Sequence, residues 1–194
     1  MNQYLVDTKY AVENLFIVLY QEHKRLDQAL ESLEMMKRAE QESWEVMQKD
    51  RFTIEGVMDL YGFNSAAERF KTDSIDITTN LNTISTSLDI IAGSILQIAK
   101  QGISAVHIKL SNCPSGRTIG KEYLKNIIWQ GRNQAMHFEE GRYQSPTVTC
   151  FKNLEETYGS KFQLNKKNLA FEVIRILEWA MYESYERDMK SLLP

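Results

Sequence analysis

Proline and glycine are scarce in this 194-residue chain, three and nine in all, so few positions oblige a helix to stop. Cysteine is rarer still. Cys113 and Cys150 have no metal-ligand spacing and are too few for a disulfide framework. That absence points to a reducing, cytoplasmic home. No apolar run approaches the roughly 20 residues needed to span a bilayer. The opening MNQYLVDTKYAVENLF lacks a basic stretch leading into an apolar one, so it does not read as a secretory signal. The three histidines, His23, His107 and His137, share no ligand spacing with each other or with the cysteines. There is no glycine-rich phosphate loop and no G-x-S-x-G elbow. Neither a metal nor a cofactor is expected.

What is present is helical periodicity. Leu15, Leu19, Leu26, Leu30 and Leu33 fall near helical spacing between charged residues, predicting a helix over about 3–49. Residues 50–63 read as a connector or short helix weakened by Gly56 and Gly62, with Asn64 or Ser65 to cap the next helix. From about 65 to 108, Ile77, Leu81, Ile84, Leu88, Ile91, Ile95 and Ile98 step alternately by four and three. Gly102 and Ala105 keep the phase. This is a heptad seam, although TTNLNTISTS within it is rich in poor helix formers.

SNCPSGRT at 111–118 is a turn cluster, and Thr118 stands where it would cap a third helix over about 119–137. Ser145-Pro146 opens a helix to about Tyr158, which Gly159 stops. A last helix over about 166–192 would bury Ala170, Ile174, Leu177, Met181 and Tyr185. The reading is all-α: one domain over 1–194, an antiparallel helical bundle with two long helices.

Charge is unevenly spread. Residues 1–50 carry six Lys/Arg against ten Asp/Glu, whereas residues 109–152 carry seven against three. A locally basic segment can hold a polyanion even when the whole chain is acidic. Lys121, Lys125 and Arg142 are its candidate substrate-binding residues, with a scattered solvated face as the plain alternative.

Within that segment lies Gln130-Gly131-Arg132-Asn133-Gln134-Ala135-Met136-His137. A permanent cation, an amide and an imidazole within two turns are parts for metal-free phosphodiester cleavage. Arginine can neutralise a phosphate, histidine can move the proton of a ribose 2′-hydroxyl, and asparagine can hold either in register. Five residues turn a helix by roughly 500°, which sets Arg132 and His137 about 140° apart. Either the helix ends between them, or two chains assemble the site.

Arg132-Asn133-Gln134-Ala135-Met136-His137 resembles the hallmark of the HEPN domains: Arg, a polar residue, and His after a four-to-six residue interval, near the end of a helix in an all-α bundle. The resemblance implies a metal-independent endoribonuclease acting as a homodimer and leaving a 2′,3′-cyclic phosphate. Arg132 and His137 would be the catalytic pair, with Asn133 in support. RNA would be the substrate and an antitoxin or regulatory protein a further partner, since such proteins commonly act as toxins, defence effectors or RNA-processing factors. Many members paired with a nucleotidyltransferase antitoxin carry Tyr two residues after the His. Here Glu139 stands there, and the nearest downstream tyrosine is Tyr143.

Plainer readings stand beside this one. His137 can cap a helix C-terminus, where a cation suits the dipole, and Arg132 can pair with an acidic neighbour. Trp129 can be core rather than a stacking platform. The chain can be a silent HEPN-fold module binding nucleotide, RNA or protein, or a coiled-coil adaptor built on residues 65–106.

Overall fold

Aliphatic residues at four-three spacing build two long helices in the computed structural model, which describes residues 2–50 and 54–194, with side chains outside 46–71. Helix α1 runs Gln3–Asp50 and α2 runs Ile54–His107. Of the 50–63 segment expected as a connector or short helix, residues 51–53 lie outside the described residues and 54–63 belong to α2. Glycine lowers helix propensity by about 1 kcal/mol but removes no backbone hydrogen bond, so Gly56 and Gly62 weaken a helix without ending it. The Thr/Ser-rich stretch is helical too. Thr78, Thr79, Thr83 and Thr86 each donate their hydroxyl to the carbonyl four residues earlier, which satisfies those side chains inside the helix.

The chain divides into two compact units, residues 22–86 and residues 1–21 with 87–194. In the first, the apolar rows are narrow. Leu26, Ala29, Leu33 and Met36 of α1 and Ile77 and Leu81 of α2 are half-buried, and Leu30, read as part of the apolar row, is exposed.

The second unit holds a deep core. Leu5, Val12, Phe16 and Leu19 of α1 are buried, as are Leu88, Ala92, Ile95, Leu96, Ala99 and Ile103 of α2. The heptad seam therefore widens into a broader face, and Ala105, which continues its phase, is exposed. The start of α1 meets the end of α2. The Tyr4 hydroxyl donates to the Ile98 carbonyl at 2.8 Å, and a Cβ on Gly102 would lie 2.8 Å from the Tyr4 ring. Only glycine lets these helices approach so closely.

The remaining elements pack in this same unit. Thr118 does not cap a helix. It begins a short hairpin, β1 (Thr118–Ile119) and β2 (Glu122–Tyr123), paired antiparallel with Ile119 opposite Glu122. Gly120 at φ +59 makes the turn, a conformation that ordinary residues avoid. Helix α3 (Leu124–His137) comes next, five residues later than the periodicity predicts, and then α4 (Ser145–Tyr158). The expected last helix is two, α5 (Ala170–Ile176) and α6 (Tyr182–Leu192).

A buried lock makes that break. Trp179 donates its indole N–H to Asp188 at 2.8 Å. Arg117 reaches from the hairpin to the same carboxylate at 3.0 Å and to the Leu177 carbonyl at 2.6 Å. The carbonyl at the end of α5 is thus satisfied from outside, and Trp179 is carried inward while Met181 is left exposed. The outcome is an all-α bundle, with six α-helices among the described residues.

Candidate functional site

Helix α3 carries the motif, and its buried side fixes where the motif points. Leu124, Ile127 and Ile128 are fully buried, and Gly131 passes so close to α5 that a Cβ would lie 2.9 Å from Val173. Gln134, in the middle of the motif, is also fully buried. Its amide donates to the Lys167 carbonyl at 2.7 Å and accepts from the Leu169 N–H at 2.9 Å. This side chain ties the approach to α5 onto α3, a structural duty within the stretch that carries the chemistry.

The other side of α3 presents the polar residues, but in two directions. His137, on the last turn, is half exposed, and its Nδ1 lies 2.7 Å from Glu140 Oε1. A carboxylate can only accept, so this contact places a proton on Nδ1. The neutral imidazole then keeps its lone pair on Nε2, the tautomer of a general base. His137 and Glu140 line a cleft of about 230 Å³ together with Asn133, Arg142, Tyr143, Gln144 and Thr147. The cleft lies against the first turn of α4, and no ion pair among the described residues involves Arg142.

Asn133 is positioned from beneath. Its Nδ2 donates to Gln130 Oε1 at 3.3 Å, and that buried oxygen also accepts the Thr147 hydroxyl at 2.8 Å. Thr147 belongs to α4, so a small polar network couples the two helices under the cleft.

Arg132 does not line the cleft. Its Nε donates to Gln97 Oε1 on α2 at 2.5 Å, and its Nη1 contacts Asn133 Oδ1 at 3.4 Å. The five-residue interval keeps Arg132 and His137 on different sides because α3 runs unbroken from Leu124 to His137. Beside Arg132, the Lys100 ammonium lies 4.4 Å from the centroid of the half-buried Trp129 ring.

The structure brings together Asn133, His137 and Arg142 of the residues marked in the sequence. Arg132, Lys121 and Lys125 stay outside the cleft, although Arg132 touches Asn133 at its edge. Lys121 lies in the hairpin turn, ahead of α3, and pairs with Glu156 at 2.7 Å. Lys125, in the first turn of α3, donates to the Cys113 carbonyl at 2.6 Å. They do not share a helical face, because the helix expected from about 119 starts at Leu124.

Glu140, Tyr143, Gln144 and Thr147 were not read from the sequence as site residues. Glu140 was within reach of it, since i,i+3 spacing puts it beside His137. Gln97 was not, because nothing local links residue 97 to residue 132.

Cys113 and Cys150 are free and buried, and burial pushes both thiols above their ordinary range. Among the described residues no group of three His, Cys, Asp or Glu is placed to hold a metal ion, and no helix is long and apolar enough to cross a membrane. No family model, curated protein or solved structure matches the chain.

Proposed function

We propose that this protein is a metal-independent endoribonuclease of the HEPN type that acts as a homodimer. The observation that carries the reading is the open polar cleft in which His137, held by Glu140, stands with Asn133 and Arg142. His137 removes the proton of a ribose 2′-hydroxyl, and the 2′-oxygen attacks the adjacent phosphorus. The P–O5′ bond breaks to leave a 2′,3′-cyclic phosphate, and the imidazolium returns the proton to O5′. Arg142 holds the phosphate at the cleft. Arg132 neutralises charge developing on it, contributed by a second copy of the chain because within one copy it faces Gln97 instead.

The test is incubation of purified protein with total tRNA and structured RNA in EDTA, comparing wild type with His137→Ala and Arg132→Ala. We expect cleavage with cyclic-phosphate ends, reduced at least about 100-fold in both variants. Mixing the two inactive variants should restore part of the activity, since heterodimers regain one complete site. Cleavage that persists in both variants, or that requires a divalent metal, would sink the proposal.

The placement of Arg132 also favours a second reading, a silent HEPN-fold module that binds nucleotide, RNA or a protein partner. That reading predicts RNA retained on the wild type and released by Arg142→Ala, with no strand scission in either.

A further inference from the structure

A groove of about 560 Å³ lies between α1 and the break that separates α5 from α6, within the unit of residues 1–21 and 87–194. Its floor is Phe16 and Tyr182, both buried. Its flanks are Ile17, Tyr20 and Met181, each more than half exposed. Exposure of this kind is costly because large apolar side chains meet water with nothing over them.

The apolar surface runs beyond the groove. Val6 and Tyr10 are exposed on α1, eleven and seven residues ahead of Ile17, which are offsets that return to the same helical side. Helix α1 is thus apolar on two sides. Leu5, Val12, Phe16 and Leu19 face the core, while Val6, Tyr10, Ile17 and Tyr20 face outward. From residue 6 to residue 20 the outward strip is about 21 Å long, the length of roughly 14 helical residues.

Charge selects the occupant. Glu13 and Glu183 line the groove, and no lysine or arginine does. Lys9 lies nearby, 3.6 Å from Glu13 and 5.5 Å from the centre of the Tyr182 ring, so it offsets one carboxylate and leaves the other. A second copy docked groove to groove would set these acids against themselves, and an anionic lipid surface would be repelled.

We infer that this groove is the docking site for an amphipathic helix of a partner protein. Its apolar residues, at i, i+3 or i+4, and i+7, fill the space between Ile17 and Met181. Lysine or arginine beside them meets Glu13 and Glu183. The inference is independent of the nuclease reading, because it concerns binding on different residues.

The probe is a displayed library of random 18-residue peptides selected on the full-length protein, followed by fluorescence anisotropy with the best resynthesised clone. We expect selected sequences with apolar residues at helical spacing and a net positive charge. Affinity should fall about tenfold or more in Ile17→Asp and in Met181→Asp, both exposed positions at which folding is checked by circular dichroism. It should fall several-fold in the double variant Glu13→Lys/Glu183→Lys, with weaker salt dependence than wild type. The inference is overturned if no binder is selected, if binders lack basic residues, or if all three variants bind as well as wild type. It is overturned too if sedimentation shows wild type self-associating in a way that Ile17→Asp abolishes, which would make the occupant a second copy.

Discussion

At the scale of single residues, what matters is whether a polar group is exposed, paired or starved of water. Asp89 on α2 shows the last case. Its Oδ1 accepts the Phe171 N–H at 3.2 Å. Burial nevertheless raises its carboxyl from 3.8 to about 6. Glu172 adds to the rise, while the hydrogen bond and Lys167 oppose it. A carboxyl whose folded value is raised weakens the fold as it ionises. Below about 3.8 it is protonated in both folded and unfolded chains. Between 3.8 and about 6 the unfolded chain loses the proton first, so stability falls as pH rises and levels off above 6. Asp89→Asn keeps an acceptor oxygen for Phe171 and removes the charge. It should therefore gain in urea midpoint at pH 7.5 and match wild type near pH 4. An equal gain at both pH values would show that ionisation is not the cause. Nothing in the sequence marks Asp89 as unusual, because its hydrogen-bond partner lies on α5, some 80 residues away. The contact between His137 and Glu140 is the opposite case, since its spacing alone makes it readable.

At the scale of elements, long-range polar contacts decide where helices stop. The periodicity of Ala170, Ile174, Leu177, Met181 and Tyr185 supports one continuous helix, yet the chain breaks between Ile176 and Tyr182. On an unbroken helix Trp179 would lie about 200° from Leu177 and face away from the core. The break buries Trp179 against Tyr185 and Asp188 instead, with Glu178 at φ +55 in the turn. Arg117 holds both the carboxylate and the freed carbonyl, so Arg117→Met strands a buried charge. The expected loss is on the order of 2–4 kcal/mol, below the full value for a buried pair because Arg117 is partly exposed. Lys121→Met, which breaks the exposed, solvent-screened pair with Glu156, should cost far less. Urea unfolding of the two variants side by side is the check, and similar losses would mean the lock is not holding the α5–α6 break. The hairpin ahead of α3 was equally hidden. Thr118 is a good capping residue, but Gly120 turns the chain and buried Glu122 accepts from Asn126 and Asn153 on two different helices.

At the scale of the whole molecule, the two compact units differ in how much they bury. In residues 22–43 and 72–83 the apolar rows are at best half-buried, whereas α2 from Leu88 to Ile103 is lined by fully buried side chains. Backbone hydrogen bonds open more readily where fewer apolar contacts hold them. Amide exchange should therefore be slow over residues 88–103 and markedly faster over 72–83 of the same helix. Uniform protection along α2 would contradict this. The sequence by itself determined the class of fold, because scarce breakers and a four-three apolar rhythm are local properties that permit little but long helices. It also marked His137, Asn133 and Arg142, whose closeness comes from short separations along the chain. Only the tertiary structure decided that Arg132 turns to Gln97, that Gln134 is a buried tie, and that Arg117 ends a helix 60 residues away. Each depends on which distant polar group offers a partner once both are removed from water. That pairing is fixed by packing, and no local pattern encodes it.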